Sequence, residues 1–230
     1  MPPRRPGSPP WALDALLTAV LGGLALWLRV LSLPVRFPYN DDLMQLHIVT
    51  RTSLDGFGRA LVQLWPMPPP LDYFLGFLAA RVTHDLQMLR LVPVAYGTVS
   101  VLLAYGLGKR LPGRPLGWWW GFLLAVSMPL ISFSQTLRPY SLTVLLALAS
   151  CYACHAALAG APAWRCAAAA AAFQAAYPHA AVFAACQWLS APRGRRGQVA
   201  KWLLPSLTVF AAWLASWHWA VDPRGAPPYR

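Results

Sequence analysis

Two adjacent aspartates, Asp41-Asp42, follow the first long hydrophobic segment of this chain. They are two of only seven acidic residues, all aspartate, set against nineteen Lys and Arg. Carboxylates beside a bilayer are costly unless their charge is used, so an ionisable residue at membrane depth is a functional-site hypothesis. The pair also suits the first turn of a helix, where Asp caps free backbone N–H groups. Other groups able to join it in chemistry are Arg138, Tyr140 and His179, the last within Tyr177-Pro178-His179. A carboxylate accepts the proton of a hydroxyl nucleophile when both are held in place. An arginine on the same face holds a phosphate and stabilises the charge that develops as it leaves. Together these groups fit transfer of a group from a lipid phosphate to a hydroxyl. Arg138 equally suits a structural ion pair, and His179 a hydrogen-bonded histidine at a helix break.

The elements that must position these residues follow from composition. With 57% hydrophobic and 11% charged residues and a mean hydropathy of +0.45, the chain is not an ordinary soluble domain. Long apolar segments separated by short basic turns predict an all-α polytopic membrane protein. The net charge of +12 does not indicate nucleic acid: the basic residues sit at the ends of hydrophobic segments, with no basic stripe interleaved with stacking aromatics. Residues 1–10 read as a cytoplasmic Pro/Arg-rich tail, 11–221 as the transmembrane domain, and 222–230 as a C-terminal tail. Spans are expected at 11–33, 91–108, 116–133, 141–158 and 202–221. The segment 166–189 fits best as a hairpin broken at Tyr177-Pro178-His179, because a single span would put Arg193, Arg195, Arg196 and Lys201 outside, against the positive-inside rule.

The first outer loop, about 34–90, carries two candidate surface helices. Leu43, Leu46, Thr50, Leu54, Phe57, Leu61 and Leu64 recur at helical spacing, although Gly56 and Gly58 weaken the centre. The stripe serves a helix lying on the membrane or one packed on other helices equally well. Pro70 suits the first turn of the next, and the apolar run 71–83 is too short to cross. Cys151, Cys154 and His155 share a helix face, but no second ligand pair has matching spacing, and Cys166 and Cys186 lie in Ala-rich stretches, so neither a metal nor a disulfide framework is expected. No cofactor is implied. The topology brings the Asp pair, Arg138 with Tyr140, and His179 to the outer side. The absence of an internal repeat counts against a transporter.

The order of these elements resembles the membrane glycosyltransferases of the GT-C superfamily, in particular the family 39-like, protein-mannosyltransferase-like group and its N-terminal membrane half. The resemblance rests on Asn40-Asp41-Asp42 after the first span and on Met67-Pro68-Pro69-Pro70-Leu71-Asp72-Tyr73, which has Met or Pro where the family carries His. It rests also on Ser134, Gln135, Arg138 and Tyr140 in a Ser-Gln-x-x-Arg-x-Tyr stretch, and on Tyr177-Pro178-His179. It implies a GT-C-type helix bundle and a sugar donor linked to polyprenyl phosphate. A hydroxyl acceptor on protein, lipid or glycan is used at the outer face. Asp41 is then the general base for inverting attack, Asp42 orients the acceptor, and Arg138 faces the donor phosphate, with Tyr140 and His179 as further substrate contacts. A multi-pass protein of a bacterial inner membrane follows, the Ala/Arg/Pro-rich composition fitting a high-GC gene. The alternative is a non-catalytic GT-C relative serving as a membrane partner subunit.

Overall fold

The computed structural model describes residues 10–31, 33–38, 40–53, 56–58, 61, 70–111, 113–177 and 180–220, with the backbone alone described at 10, 41 and 216–220. Among the described residues every regular element is helical. In chain order these are α1 (Pro10–Leu31), α2 (Asn40–Arg51), α3 (Pro70–Ala79), α4 (Leu86–Leu89), α5 (Leu91–Arg110) and α6 (Arg114–Val126). They continue as α7 (Met128–Phe133), α8 (Tyr140–Leu158), α9 (Trp164–Ala176), α10 (Ala180–Ser190), a 3₁₀ turn (Arg193–Arg195) and α11 (Arg196–Ala220). Three stretches, Trp11–Leu31, Leu86–Arg110 and Tyr140–Leu158, are long and apolar enough to cross a membrane. The His179 and Pro178 positions, and the tails 1–9 and 221–230, lie outside the described residues.

α5 is the central helix, packed on α1, α6 and α8. Its contact with α6 is backbone on backbone. A Cβ on Gly108 would stand 2.7 Å from the Gly117 Cα, and one on Gly117 equally close to the Lys109 nitrogen and the Tyr105 carbonyl. Small residues at a helix crossing allow that approach, and dispersion then supplies the association that lipid-like surroundings do not. α1 closes the bundle through Leu21 and Ala25, which are buried with Val101, Tyr105 and Ala125. α9 packs between α8 and α11.

The segment expected as one span at 116–133 is two helices. Ser127 is extended, with ψ 111°, and Pro129 lacks the N–H that would continue the ladder. The break at 166–189 falls as read from the sequence: α9 ends at Ala176 and α10 begins at Ala180. Cys166, early in α9, and Ala191, just past α10, share one buried cluster, so the arms fold back on each other.

The loop helices differ from the amphipathic stripe. α2 stops at Arg51, with Thr52 and Ser53 non-helical, and Leu54, Asp55 and Leu64 lie outside the described residues. Its buried face carries Asp42, Gln45, Ile48 and Val49, whereas Leu43 is 46% exposed. Of the stripe, Leu46, Phe57 and Leu61 do join the core, as the packed-helix alternative expects, while polar partners on other elements turn Asp42 and Gln45 inward as well. α2 packs on α3, joining Ile48, Val49, Tyr73, Phe77, Leu89 and Leu137 in one core.

Candidate functional site

Asp42 lies in the first turn of α2, where a solvated cap was one expectation, yet its carboxylate is fully buried. Oδ2 accepts a hydrogen bond from Arg90 Nη2 at 2.8 Å, and both partners are 0% exposed. Oδ1 accepts the backbone N–H of Leu137, also at 2.8 Å. Arg90 sits between α4 and α5 and donates from Nη1 to the Arg36 carbonyl at 3.0 Å. A buried ion pair holds best when its remaining lone pairs and protons are also satisfied. These bonds engage both Asp42 oxygens and both Arg90 Nη atoms, while Arg90 Nε has no partner among the described residues.

The consequence is geometric. Asp42 pegs the start of α2 to the head of α5 and to the turn 134–139. The residue before Asp42 is Asp41, and the residue after Leu137 is Arg138. The peg therefore gathers the backbones of these two sequence-predicted residues into one corner, although the side chain of Asp41 is outside the described residues.

A second carboxylate in this corner, Asp72 of α3, is 6% exposed and accepts a hydrogen bond from Gln45 Nε2 at Oδ2, 2.8 Å away. Burial pushes its pKa up to about 6, against the lowering effect of the Gln45 hydrogen bond and the nearby Arg138 charge. Asp72, Gln45, Tyr96, Leu137 and Arg138 line a cavity of about 20 Å³, room for one water-sized group. Gln45 is 2% exposed, and its Oε1 has no hydrogen-bond partner among the described residues. Sequence reasoning missed Asp72, Gln45 and Arg90. The available signal was Asp72 itself, an acid inside an apolar helix, to which the rule applied to Asp41-Asp42 extends.

The Ser-Gln-x-x-Arg-x-Tyr stretch divides its labour. Ser134 Oγ accepts from Arg29 Nε at 3.2 Å. Gln135 Oε1 accepts from Arg36 Nη1 at 2.8 Å and its Nε2 donates to the Arg29 carbonyl at 2.8 Å. These two residues fasten the turn to the end of α1. Arg29, 1% exposed, also donates to the carbonyls of Ala125 and Leu124, each at 3.3 Å. An unbroken α6 would offer those carbonyls the N–H groups four residues on, and residue 129 is proline. Arg29 thus substitutes for the helical ladder at the α6/α7 break. Gly97 makes room for it, since a Cβ there would stand 2.7 Å from Arg29 Nε. Of the four named residues of the stretch, Arg138 alone lines the Asp72 cavity, next to Leu137. Tyr140 opens α8, 40% exposed, its ring 4.9 Å from that of Phe133, and is not among the residues lining that cavity.

A groove of about 590 Å³ runs down the bundle, lined by Leu124, Leu130, Val144, Leu148, Leu158 and Phe183 among other mainly apolar side chains. Among the described residues no three His, Cys or Asp side chains gather as metal ligands. No family model matches the chain, and no curated protein or solved structure matches it either.

Proposed function

We propose that this chain is a GT-C-type membrane glycosyltransferase, moving a sugar from a polyprenyl-phosphate donor to a hydroxyl acceptor at the outer face. The observation that carries this reading is the Asp42 peg. By bonding Leu137 and Arg90 it brings the backbones of Asp41 and Arg138 into one corner, which supports assigning a base and a phosphate holder to these two residues. Asp41 takes the proton of the acceptor hydroxyl as that oxygen attacks the anomeric carbon. The bond from that carbon to the phosphate oxygen breaks with inversion, and Arg138 stabilises the departing lipid phosphate. Asp42 acts through position: its oxygens are engaged by Arg90 and Leu137, so it orients its neighbour. The apolar groove supports a lipid-linked substrate, offering a prenyl chain a lining of its own kind. On this reading the protein is multi-pass, with the Asp42 corner outside and the basic turns Lys109-Arg110 and Arg193–Arg196 inside.

The test is sugar transfer by purified full-length protein from a polyprenyl-phosphate hexose. Asp41→Asn is expected to lower the rate by about 10²-fold or more, with the lipid still bound. If wild type and variant are equally inactive with every hexose donor tried, the enzymatic reading fails and a non-catalytic partner subunit takes its place.

A further inference from the structure

The Asp72 cavity is not used by the chemistry just described, and its polar lining is selective. The geometry points to a hydroxyl-binding subsite in which one hydroxyl of the donor's sugar donates to Gln45 Oε1, the amide being oriented by Asp72, next to Arg138. This assignment rests on the glycosyltransferase reading and extends it to where the sugar lies.

Gln45 gives its Nε2 to Asp72, so its amide orientation is set and Oε1 remains as an acceptor with nothing to accept from. That atom is buried, and an unmet buried acceptor costs about the full desolvation of the group. Whatever fills the cavity must therefore donate a hydrogen bond. An anion is excluded by the Asp72 carboxylate. A cation is opposed by the Arg138 charge, which acts directly on Asp72. A neutral O–H donor remains. The volume, about 20 Å³, admits one hydroxyl and not a whole ring, so the sugar body stays outside. Arg138 is shared between this cavity and the phosphate-holding role, which places the hydroxyl one sugar's reach from the lipid phosphate.

Intrinsic tryptophan fluorescence of the full-length protein in detergent reads binding of two probes, a bare polyprenyl phosphate and the same lipid carrying a hexose. Wild type is expected to bind the hexose-bearing lipid about tenfold more tightly, the effect of one hydrogen bond to a buried amide oxygen that is otherwise unmet. Asp72→Asn and Gln45→Met should each bring the two affinities together while leaving the bare lipid unchanged. Two variants are used so that misfolding of one, checked by its unfolding transition, leaves the other to decide. Equal affinities in wild type would mean that the cavity holds an ordered water only, and would overturn the subsite. Equal losses on both lipids in the variants would overturn it too, assigning Asp72 a structural role. A hexose preference without any sugar transfer would support the subsite and sink the transferase reading, so the failures are separable. Binding of neither lipid would overturn both.

Discussion

Both ends of the helix bundle hold an aspartate against arginine, and the two arrangements behave differently. At one end Asp14 of α1 accepts from Tyr105 Oη at 2.9 Å, Lys109 Nζ at 3.0 Å and Arg114 Nε at 2.7 Å. The cluster is open: Lys109 and Arg114 are 38% exposed and Asp14 is 24%. At the other end Asp42 and Arg90 are fully buried, and Asp72 sits beside a cavity with an unmet acceptor. In water the ions keep most of their hydration, so the Asp14 cluster adds little and costs little. In the Asp42 corner each charge must be matched or it destabilises the fold. The Asp42 corner is therefore the region to examine for chemistry, and the Asp14 cluster is an exposed ion-pair network.

The largest expected effect is at the peg. Asp42→Asn or Arg90→Met alone leaves a buried charge without its partner and should lower stability by about 3–5 kcal/mol, measured by unfolding in detergent. The pair Asp42→Leu with Arg90→Met should recover a large part of that loss. If the single variants are as stable as wild type, the contrast between the two ends collapses.

Asp72 gives the next effect, with opposite sign. Its folded pKa of about 6 lies above the ordinary 3.8, so folding favours the protonated form. The associated stability is fully present below about pH 4 and is lost as pH rises through 6. By pH 8 the charged group costs about 3 kcal/mol. Asp72→Asn should therefore be more stable than wild type at pH 8 and similar to it at pH 4, in paired thermal unfolding scans. A variant equally destabilised at both pH values would mean that Asp72 is a structural residue like Asp42.

The smallest effect belongs to Asp14→Asn, whose change in unfolding midpoint should be slight and should vanish in molar salt, since screening removes exposed pairs first. A large, salt-independent loss would show that the Asp14 cluster is as demanding as the Asp42 corner.

How much of this was legible in the sequence differs between elements. The apolar runs of α1, α5 and α8 declare themselves, because a stretch of about twenty residues with at most two charges in its apolar window has few alternatives to a helix. The hairpin break at Tyr177 was legible from the basic residues beyond it, which no single span could accommodate. The division of α6 from α7 was signalled by Pro129 alone and was missed, since a proline within a membrane helix is often tolerated. The leucine stripe located α2 only in part: Leu46 packs on the core and Leu43 does not, because Asp42 and Gln45 are drawn inward by Arg90, 48 residues from Asp42, and by Asp72.

The candidate site follows the same division. Sequence by itself determined that the chain is helical and suited to a membrane, that acids are rare, and that Asp41, Asp42 and Arg138 are the polar residues to watch. Those conclusions rest on hydrophobicity and local spacing, which a linear chain carries in full. Only the tertiary structure decided that Asp42 is a buried peg, that Arg29 replaces the missing ladder at Pro129, and that Asp72 faces a cavity with Arg138. Burial and pairing of charge depend on which distant groups arrive at a point, and a carboxylate's chemistry is set by those neighbours and not by its place in the chain.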